Sequence, residues 1–559
     1  MCGLSYRPRT LILHSIIAFF SRNRPRLGSA TLSFIVALYL LAVPNRTFWQ
    51  RADDYLAGSP VALSALAIAL LAIFTAILIT VSIKYVTKPF FMLLIVAASL
   101  GAWFTDNYGT IIDTDMIRNV VETTGPESSR FFTFGLFLHV FLTAIVPCAL
   151  IAWVKIIHRP FWAKVGWNLA VIVPCLIAAG IAVTSQARIF ASTVRTHKDL
   201  ARVVNPVVPL VSVVHYAIAS GDEGNIVVEP LGTDARRVAR GETLEKPRVT
   251  IIVAGETARA QNFSLNGYGR ETNPELKAAG ITYFPKTTSC GTATAVSLPC
   301  MFSVYTRKEY THRKGLSTES LPDVLTHAGI KAAWWDNNTG SKGIADRIDY
   351  VSIPALKDPH YCNEGECQDG IFLDRLDAWL DTVKGDSVLV LHQLGSHGPA
   401  YYLRYPQEFR KFTPDCRSTE FTTCTPQEIT NAYDNTILYT DHILASVIER
   451  LKRHGDKISG SMFYMSDHGE SLGEDGVYLH GMPYLFAPTE QTHIPFVMWM
   501  DDDFARTTGV TQACLKEQTS VESSHDNLFH SILGMMNVET AVYDPSLDIL
   551  APCRGKPIS

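Results

Sequence analysis

Five long apolar runs near the start of the chain restrict its fold more than any other feature. They cover roughly 27–43, 61–83, 90–104, 131–154 and 165–183, and none carries a charge in its middle. A helix needs about 20 apolar residues to cross the hydrocarbon core of a bilayer. The third run is short, and its flanks must extend it to span. Five such runs in close succession argue against buried helices of a soluble core. An earlier apolar stretch, 10–20, is too short to span and reads as interfacial.

Basic residues give the orientation. Arg7, Arg9, Arg22, Arg24 and Arg26 precede the first run, Lys84 and Lys88 follow the second, and Lys155, Arg159 and Lys164 follow the fourth. Such clusters stay in the cytoplasm. The 105–130 loop is acidic, with Asp106, Asp113, Asp115, Glu122 and Glu127 against Arg118 and Arg130, and belongs outside. Five spans then put everything after residue 185 outside the cytoplasm, with the first span a retained anchor rather than a cleaved leader. The expected organisation is a transmembrane domain over 1–185, an amphipathic bridging helix and linker over 186–247, and a catalytic domain over 248–559. A net charge of −4 gives no footprint for nucleic acid.

The cysteines agree with this division. Of 11, Cys2 lies in the cytoplasmic tail and Cys148 and Cys175 lie within spans. All the others fall in the external part. Cys290 with Cys300, Cys362 with Cys367, and Cys416 with Cys424 are close pairs, and Cys514 and Cys553 are left over. In an oxidising compartment this spacing reads as local disulfides. No pair has the C-x-x-C spacing of a thiolate zinc site.

Past residue 248 the texture changes. "RVTIIVAGET", "KAAWWDNNTG", "DSVLVLHQLGSHGPAY" and "GSMFYMSDHGES" are apolar runs that stop at small, polar or acidic residues, the pattern of buried parallel strands. Helical stretches, such as 371–383 and 428–453, lie between them. Alternating strands and helices predict an α/β domain with a mostly parallel central sheet. Glu256, Asn337 with Asn338, His397, and Asp467 with His468 each follow a predicted strand. Functional groups of open α/β sheets gather beyond the strands' carboxyl ends.

Glu256, Asp467 and His468 make a plausible zinc ligand set, with a hydroxyl as the fourth member. The stretch "SCGTATAVSLPC" offers Thr292, Thr294 and Ser297 inside a ring closed by Cys290 and Cys300. A metal lowers the pKa of such a hydroxyl and makes it a nucleophile near neutral pH. His397 and His480 are candidates for a second metal or for holding phosphate oxygens. Asn338 and Lys342 can neutralise a substrate anion. Together these point to phosphoryl or sulfuryl transfer, and chemistry alone leaves the three hydroxyls undistinguished.

Six segments then supply a resemblance: "GETARAQNFSLNGYGRETNPEL", "TTSCGTATAVSLPCMFS", "DNNTGSKG", "HQLGSHGPAYYLRYPQEFRKFTPDC", "YDNTILYTDHIL" and "SDHGESLGEDGVYLHGMP". They resemble the lipid A phosphoethanolamine transferases, the family behind polymyxin (colistin) resistance, within the alkaline phosphatase/sulfatase-like superfamily. The resemblance implies Thr294 as the modified nucleophile. It implies Glu256, Thr294, Asp467 and His468 as ligands of one tight zinc site, with His397 and His480 near the transferred phosphate or a second zinc. It implies Glu470, Asn338 and Lys342 as further substrate contacts. The outer loop "YGTIIDTDMIRNVVETTGPES" resembles the family's closing loop, with Asn119, Thr123 and Glu127 holding the ethanolamine headgroup. Those three are four residues apart, as on one helical face, although Gly125–Pro126 is expected to end a helix before Glu127.

The implied enzyme is a monomer in a Gram-negative inner membrane, with its catalytic domain in the periplasm. It takes phosphoethanolamine from phosphatidylethanolamine and gives it to lipid A. The same chemistry on lipopolysaccharide core or another periplasmic glycan is the alternative acceptor. A sulfatase or phosphodiesterase is disfavoured, since no C/S-x-P-x-R pattern occurs in the nucleophile loop. A catalytically dead sensor is disfavoured by the intact ligand set.

Overall fold

The computed structural model describes residues 24–56, 58–221, 226–239 and 245–554. The 10–20 stretch, Cys2 and the arginines at 7, 9 and 22 lie outside the described residues. The chain divides into two compact units, Met1–Asp113 with Phe134–Val214, and Thr114–Thr133 with His215–Ser559.

In the first unit, four helices are long and apolar enough to cross a membrane: Pro60–Thr80, Thr87–Tyr108, Phe134–Trp153 and Phe161–Ser185. The short third run is indeed lengthened by its flanks, to a helix of 22 residues. The first run is different. Its helix, Ser29–Ala42, has 14 residues, about 21 Å of rise, and bends by 68° into Arg46–Tyr55. Pro44 breaks the first helix, and the second is polar, carrying Arg46, Arg51, Asp53 and Asp54. The span count is five only if this bent pair counts as one.

Small residues let these helices approach closely. Ala65, Ala69 and Ala72 of Pro60–Thr80 pack with Ala179 and Ala182 of Phe161–Ser185. The Phe134–Trp153 helix contains a π-helical turn at Phe141–Ile145, directly before Pro147, whose missing N–H cannot serve the ordinary ladder. Residues after 186 form the helix Ala187–Thr196, a short 3-10 turn Leu200–Val203 and the helix Val207–Gly221.

The second unit is built on an eight-stranded sheet. In chain order its strands are β1 Arg248–Gly255, β2 Thr282–Thr288, β3 Lys331–Asp336, β4 Asp349–Ser352, β5 Ser387–His392, β6 Ser459–Ser466, β7 His493–Met500 and β8 Ser523–Ser524. Their spatial order is β8–β2–β7–β6–β1–β5–β3–β4. From β6 to β4 all neighbours are parallel, and β7 runs antiparallel to both β6 and β2. Every residue of β1, β5 and β6 is buried, which is why these strands read as continuous apolar runs rather than alternating ones. The longest helix, Pro426–Arg453, opens with a capping box between Thr425 and Glu428.

Register levels the strand ends. Gly255 stands opposite Ser466, and His392 opposite both Ala254 and Asp336. The next residues of each strand, Glu256, Asp467, Gln393 and Asn337, therefore emerge on one edge. Disulfides join Cys290–Cys300, Cys362–Cys367, Cys416–Cys424 and Cys514–Cys553. Cys148 and Cys175 are free thiols.

Candidate active site

Glu256 follows β1, and Asp467 and His468 follow β6. All three are almost fully buried, and one ligand atom from each lies within 4.8 Å of the others. Asp467 Oδ1 accepts the backbone N–H groups of Thr257 (3.1 Å) and His468 (2.7 Å). Its other oxygen, Oδ2, is buried with no hydrogen-bond partner among the described residues. His468 Nδ1 contacts the Gly469 carbonyl at 2.9 Å, so in the neutral ring Nδ1 carries the hydrogen and Nε2 the lone pair, 3.5 Å from Glu256 Oε1 and 3.4 Å from Asp467 Oδ2. An orphaned carboxylate oxygen beside a second carboxylate and an available imidazole nitrogen is a donor set that suits a divalent cation such as zinc.

The three hydroxyls of the bridged ring part company here. Thr292 Oγ1 donates to the Met482 carbonyl at 2.6 Å, and Ser297 Oγ donates to the Asp467 carbonyl. Thr294 Oγ1 alone faces the cluster, at 3.2 and 3.3 Å from the Glu256 oxygens and 3.4 Å from His468 Nε2. It is the first residue of the helix Thr294–Met301, where unpaired N–H groups favour negative charge. The disulfide from Cys290 reaches the last turn of that same helix at Cys300.

Backbone geometry holds Glu256 in place. Thr257 takes φ = 59°, costly for a β-branched residue, and its hydroxyl donates to Glu256 Oε1 at 2.5 Å. Gly395 comes so close that a Cβ there would lie 2.6 Å from the Glu256 carbonyl oxygen. Asn338 Nδ2 donates to Glu256 Oε2 (2.6 Å) and to the Gln393 carbonyl (2.9 Å), so this amide, expected on the substrate, braces the carboxylate.

A second ring of groups lies around this cluster. His397 Nε2 is 3.3 Å from Glu127 Oε1, and His480 Nδ1 is 2.9 Å from Glu470 Oε2. Glu470 Oε1 accepts from Tyr401 OH at 2.6 Å. The His480 ring stands 4.4 Å from that of His468 and 5.5 Å from that of His397. Each of the two outer histidines thus meets a carboxylate, and among the described residues only Glu256, Asp467 and His468 converge as metal ligands. Lys342 pairs with Glu122 at 3.0 Å. A cavity of about 300 Å³, lined in part by Glu127, Asn338, Tyr350 and His397, opens beside them.

Electrostatics separate these groups. Burial raises the Glu256 carboxyl, but His468 first and then His397 outweigh it and hold the group below the usual range. Burial and then the Glu256 charge push Asp467 up. Burial raises Glu470 to about 8. Burial lowers His397, yet the Glu127 carboxylate beside it wins and raises it to about 9. Burial, with His468 and His397 nearby, drives His480 well below the imidazole range.

The outer segment departs from a single helical face. The helix carrying Asn119, Thr114–Glu122, ends before Thr123, and Gly125–Ser129 begins a new turn capped by Thr124. Proline in the first turn of that helix explains the break. Glu127 is buried against His397, while the Thr123 hydroxyl donates to the Asn119 carbonyl at 2.6 Å.

Sequence reasoning missed several supports. Asp369 accepts from the Asn337 amide and the N–H groups of Leu394 and Gly395. Asp336 accepts from Trp334, His392, Asn338 and Gly340. Asp336 closes a predicted strand as visibly as Glu256 does, whereas Asp369 carries no local signal.

Comparison with known proteins fits this geometry. Residues 248–538 match the sulfatase family, and residues 70–220 match the family described as phosphoethanolamine transferase EptA/EptB. The chain is 37% identical to phosphoethanolamine transferase EptA of Escherichia coli (strain K12), over 95% of this chain and 98% of that one. It is 36% identical to phosphatidylethanolamine transferase Mcr-1 of Escherichia coli, over 90% and 94%. The integral membrane lipooligosaccharide phosphoethanolamine transferase A of Neisseria meningitidis superposes with a TM-score of 0.90 at 34% identity, over 95% of this chain and 100% of that one. This chain therefore belongs to the EptA/Mcr family of phosphoethanolamine transferases and is an integral membrane enzyme with a periplasmic catalytic domain.

Proposed function

We propose that the enzyme moves phosphoethanolamine from phosphatidylethanolamine to a phosphate of lipid A by way of a phosphorylated Thr294. The observation that carries this reading is the isolation of Thr294 Oγ1 among Glu256, Asp467 and His468, while the other two hydroxyls of its loop donate to backbone carbonyls. Glu256, Asp467, His468 and Thr294 Oγ1 would hold one zinc ion. When bound, that ion supplies a Lewis acid that makes the hydroxyl acidic and draws charge from phosphoryl oxygens.

In the first half-reaction Thr294 Oγ1 forms a bond to the donor phosphorus, and the bond from phosphorus to the glycerol oxygen breaks. Diacylglycerol leaves with a proton. In the second, an oxygen of the lipid A phosphate forms a bond to the same phosphorus, the bond from phosphorus to Thr294 Oγ1 breaks, and Thr294 Oγ1 regains the proton that the acceptor phosphate gives up.

His397, charged at neutral pH, and His480, neutral, suit the transferred phosphate better than a second metal, because each already meets a carboxyl group, Glu127 and Glu470. Protonated Glu470 keeps His480 oriented. Glu127, Asn119 and Thr123 would receive the ammonium end of the headgroup. Lys342 would leave Glu122 to meet an anionic oxygen, with Asn338 acting through Glu256. The segments 1–185, 186–247 and 248–559 serve as anchor, bridge and catalytic part of a monomer. The product carries less negative charge, and cationic peptides bind it less.

The test is mass spectrometry of two species. Lipid A from cells expressing the wild type should gain phosphoethanolamine, and the purified protein incubated with donor alone should carry it on Thr294. An adduct on core sugar alone would move the acceptor, and a labelled residue other than Thr294 would remove the nucleophile.

A further inference from the structure

A closed circuit of charges supports the rim of the site, and the chemistry above leaves most of it unused. Cys362–Asn363 pairs antiparallel with Glu366–Cys367, and the ends are bonded by a disulfide. The two loop residues, Glu364 and Gly365, both have positive φ, 51° and 88°, as the tightest hairpin turns require. Gly365 is also a seat: a Cβ there would lie 2.7 Å from Pro126 Cγ. Beside it, Glu364 and Glu366 take Arg130 at 2.7 and 3.4 Å.

From Glu366 the circuit continues. Arg404 grips it with two N–H groups, at 2.8 and 3.2 Å, and donates its Nε–H to the His397 carbonyl at 2.8 Å. On the other side the Arg130 backbone N–H donates to the Glu127 carbonyl at 3.0 Å, which closes a turn between the two residues. Glu127 and His397 then meet side chain to side chain. The Arg404 and Glu366 side chains are only 1% and 11% exposed, so this pair is a desolvated one, whose disruption costs far more than that of a surface pair.

We propose that Arg130 and Glu366 are positioning residues for transfer, which act by fixing Glu127 opposite His397 for a zwitterionic headgroup. The inference rests on the headgroup role proposed for Glu127 and His397. Neither arginine needs to touch the substrate. The disulfide-bonded hairpin is the platform on which the outer segment docks.

Steady-state kinetics of the full-length, zinc-loaded enzyme with a short-chain phosphatidylethanolamine test this. R130A should raise KM for the donor about tenfold with kcat little changed, and R130K should recover most of the loss. In an E127A background R130A should add nothing, because its effect passes through Glu127. E364Q, at an exposed residue, is the variant least able to disturb folding, and it should raise KM about twofold. Additive losses from R130A and E127A would overturn the inference, as would a fall in kcat with KM unchanged. If E127A raises KM and R130A and E364Q do not, the inference fails while the headgroup reading stands. If E127A leaves KM unchanged, both fall.

Discussion

The inner cluster and its rim are fixed by different means. Glu256, Asp467 and His468 follow the ends of adjacent parallel strands in matched register, and backbone N–H groups hold Asp467. Glu122, Glu127 and Arg130 come from a polar segment between two apolar helices of the sequence, and they reach Lys342, His397 and the 362–367 hairpin through ion pairs. A sheet sets the first group whatever the ionic conditions. The second depends on charges that pH can remove and, at the exposed Glu364, that salt can screen. The inner cluster should therefore govern whether the reaction occurs, and the rim how well the donor is held.

The largest test of that contrast is T294A, which should lower transfer by about 10³-fold or more, with no labelled protein formed. T294A that still becomes labelled would dissolve the distinction. Next, D467N replaces the carboxylate whose Oδ2 has no hydrogen-bond partner among the described residues. Zinc affinity, followed by competition with a chelator, should fall by at least about 10- to 100-fold, and chelation of the wild type should stop turnover until zinc is returned. K342A belongs to the rim. It should raise donor KM about three- to tenfold and leave zinc affinity unchanged; a loss of zinc would place Lys342 with the inner group.

The smallest effect sharpens the comparison through pH. His397 is raised to about 9 by Glu127, and Glu127 is held below its usual range, with burial opposing and the His397 charge prevailing. A raised histidine contributes stability that is fully present below its unfolded value near 6.5 and fades as pH rises through the folded value. The lowered carboxylate contributes above its unfolded value and is lost as pH falls. The melting-temperature advantage of the wild type over E127Q should hold near neutrality and shrink as pH rises through about 9. An advantage that persists beyond that point would mean packing, rather than charge, joins Glu127 to His397.

Much of the inner cluster was legible because β1, β3, β5 and β6 are buried on both faces. Their apolar runs stop abruptly, and the residue after each stop is polar for a reason. The choice among Thr292, Thr294 and Ser297 was not legible from chemistry, since it depends on which hydroxyls find carbonyls at Met482 and Asp467, both distant in sequence. The rim was less legible still. Glu122 shares no local pattern with Lys342, nor Arg130 with Glu366, and only the folded chain pairs them. The bend of the first apolar run was not legible from its hydropathy: its helix stops at 14 residues before Pro44 and makes a fifth span only together with its bent partner.

If Thr294 is the nucleophile proposed above, the bridge that ties Cys290 to the far end of its short helix has a kinetic consequence. A carrier on a long flexible arm can load at one station and unload at another, but Thr294 has no such reach. Both lipids must then come to the same berth in succession, each barred while the other occupies it. Initial-rate plots at several fixed donor levels should give parallel lines, and an excess of either lipid should slow the other's turn.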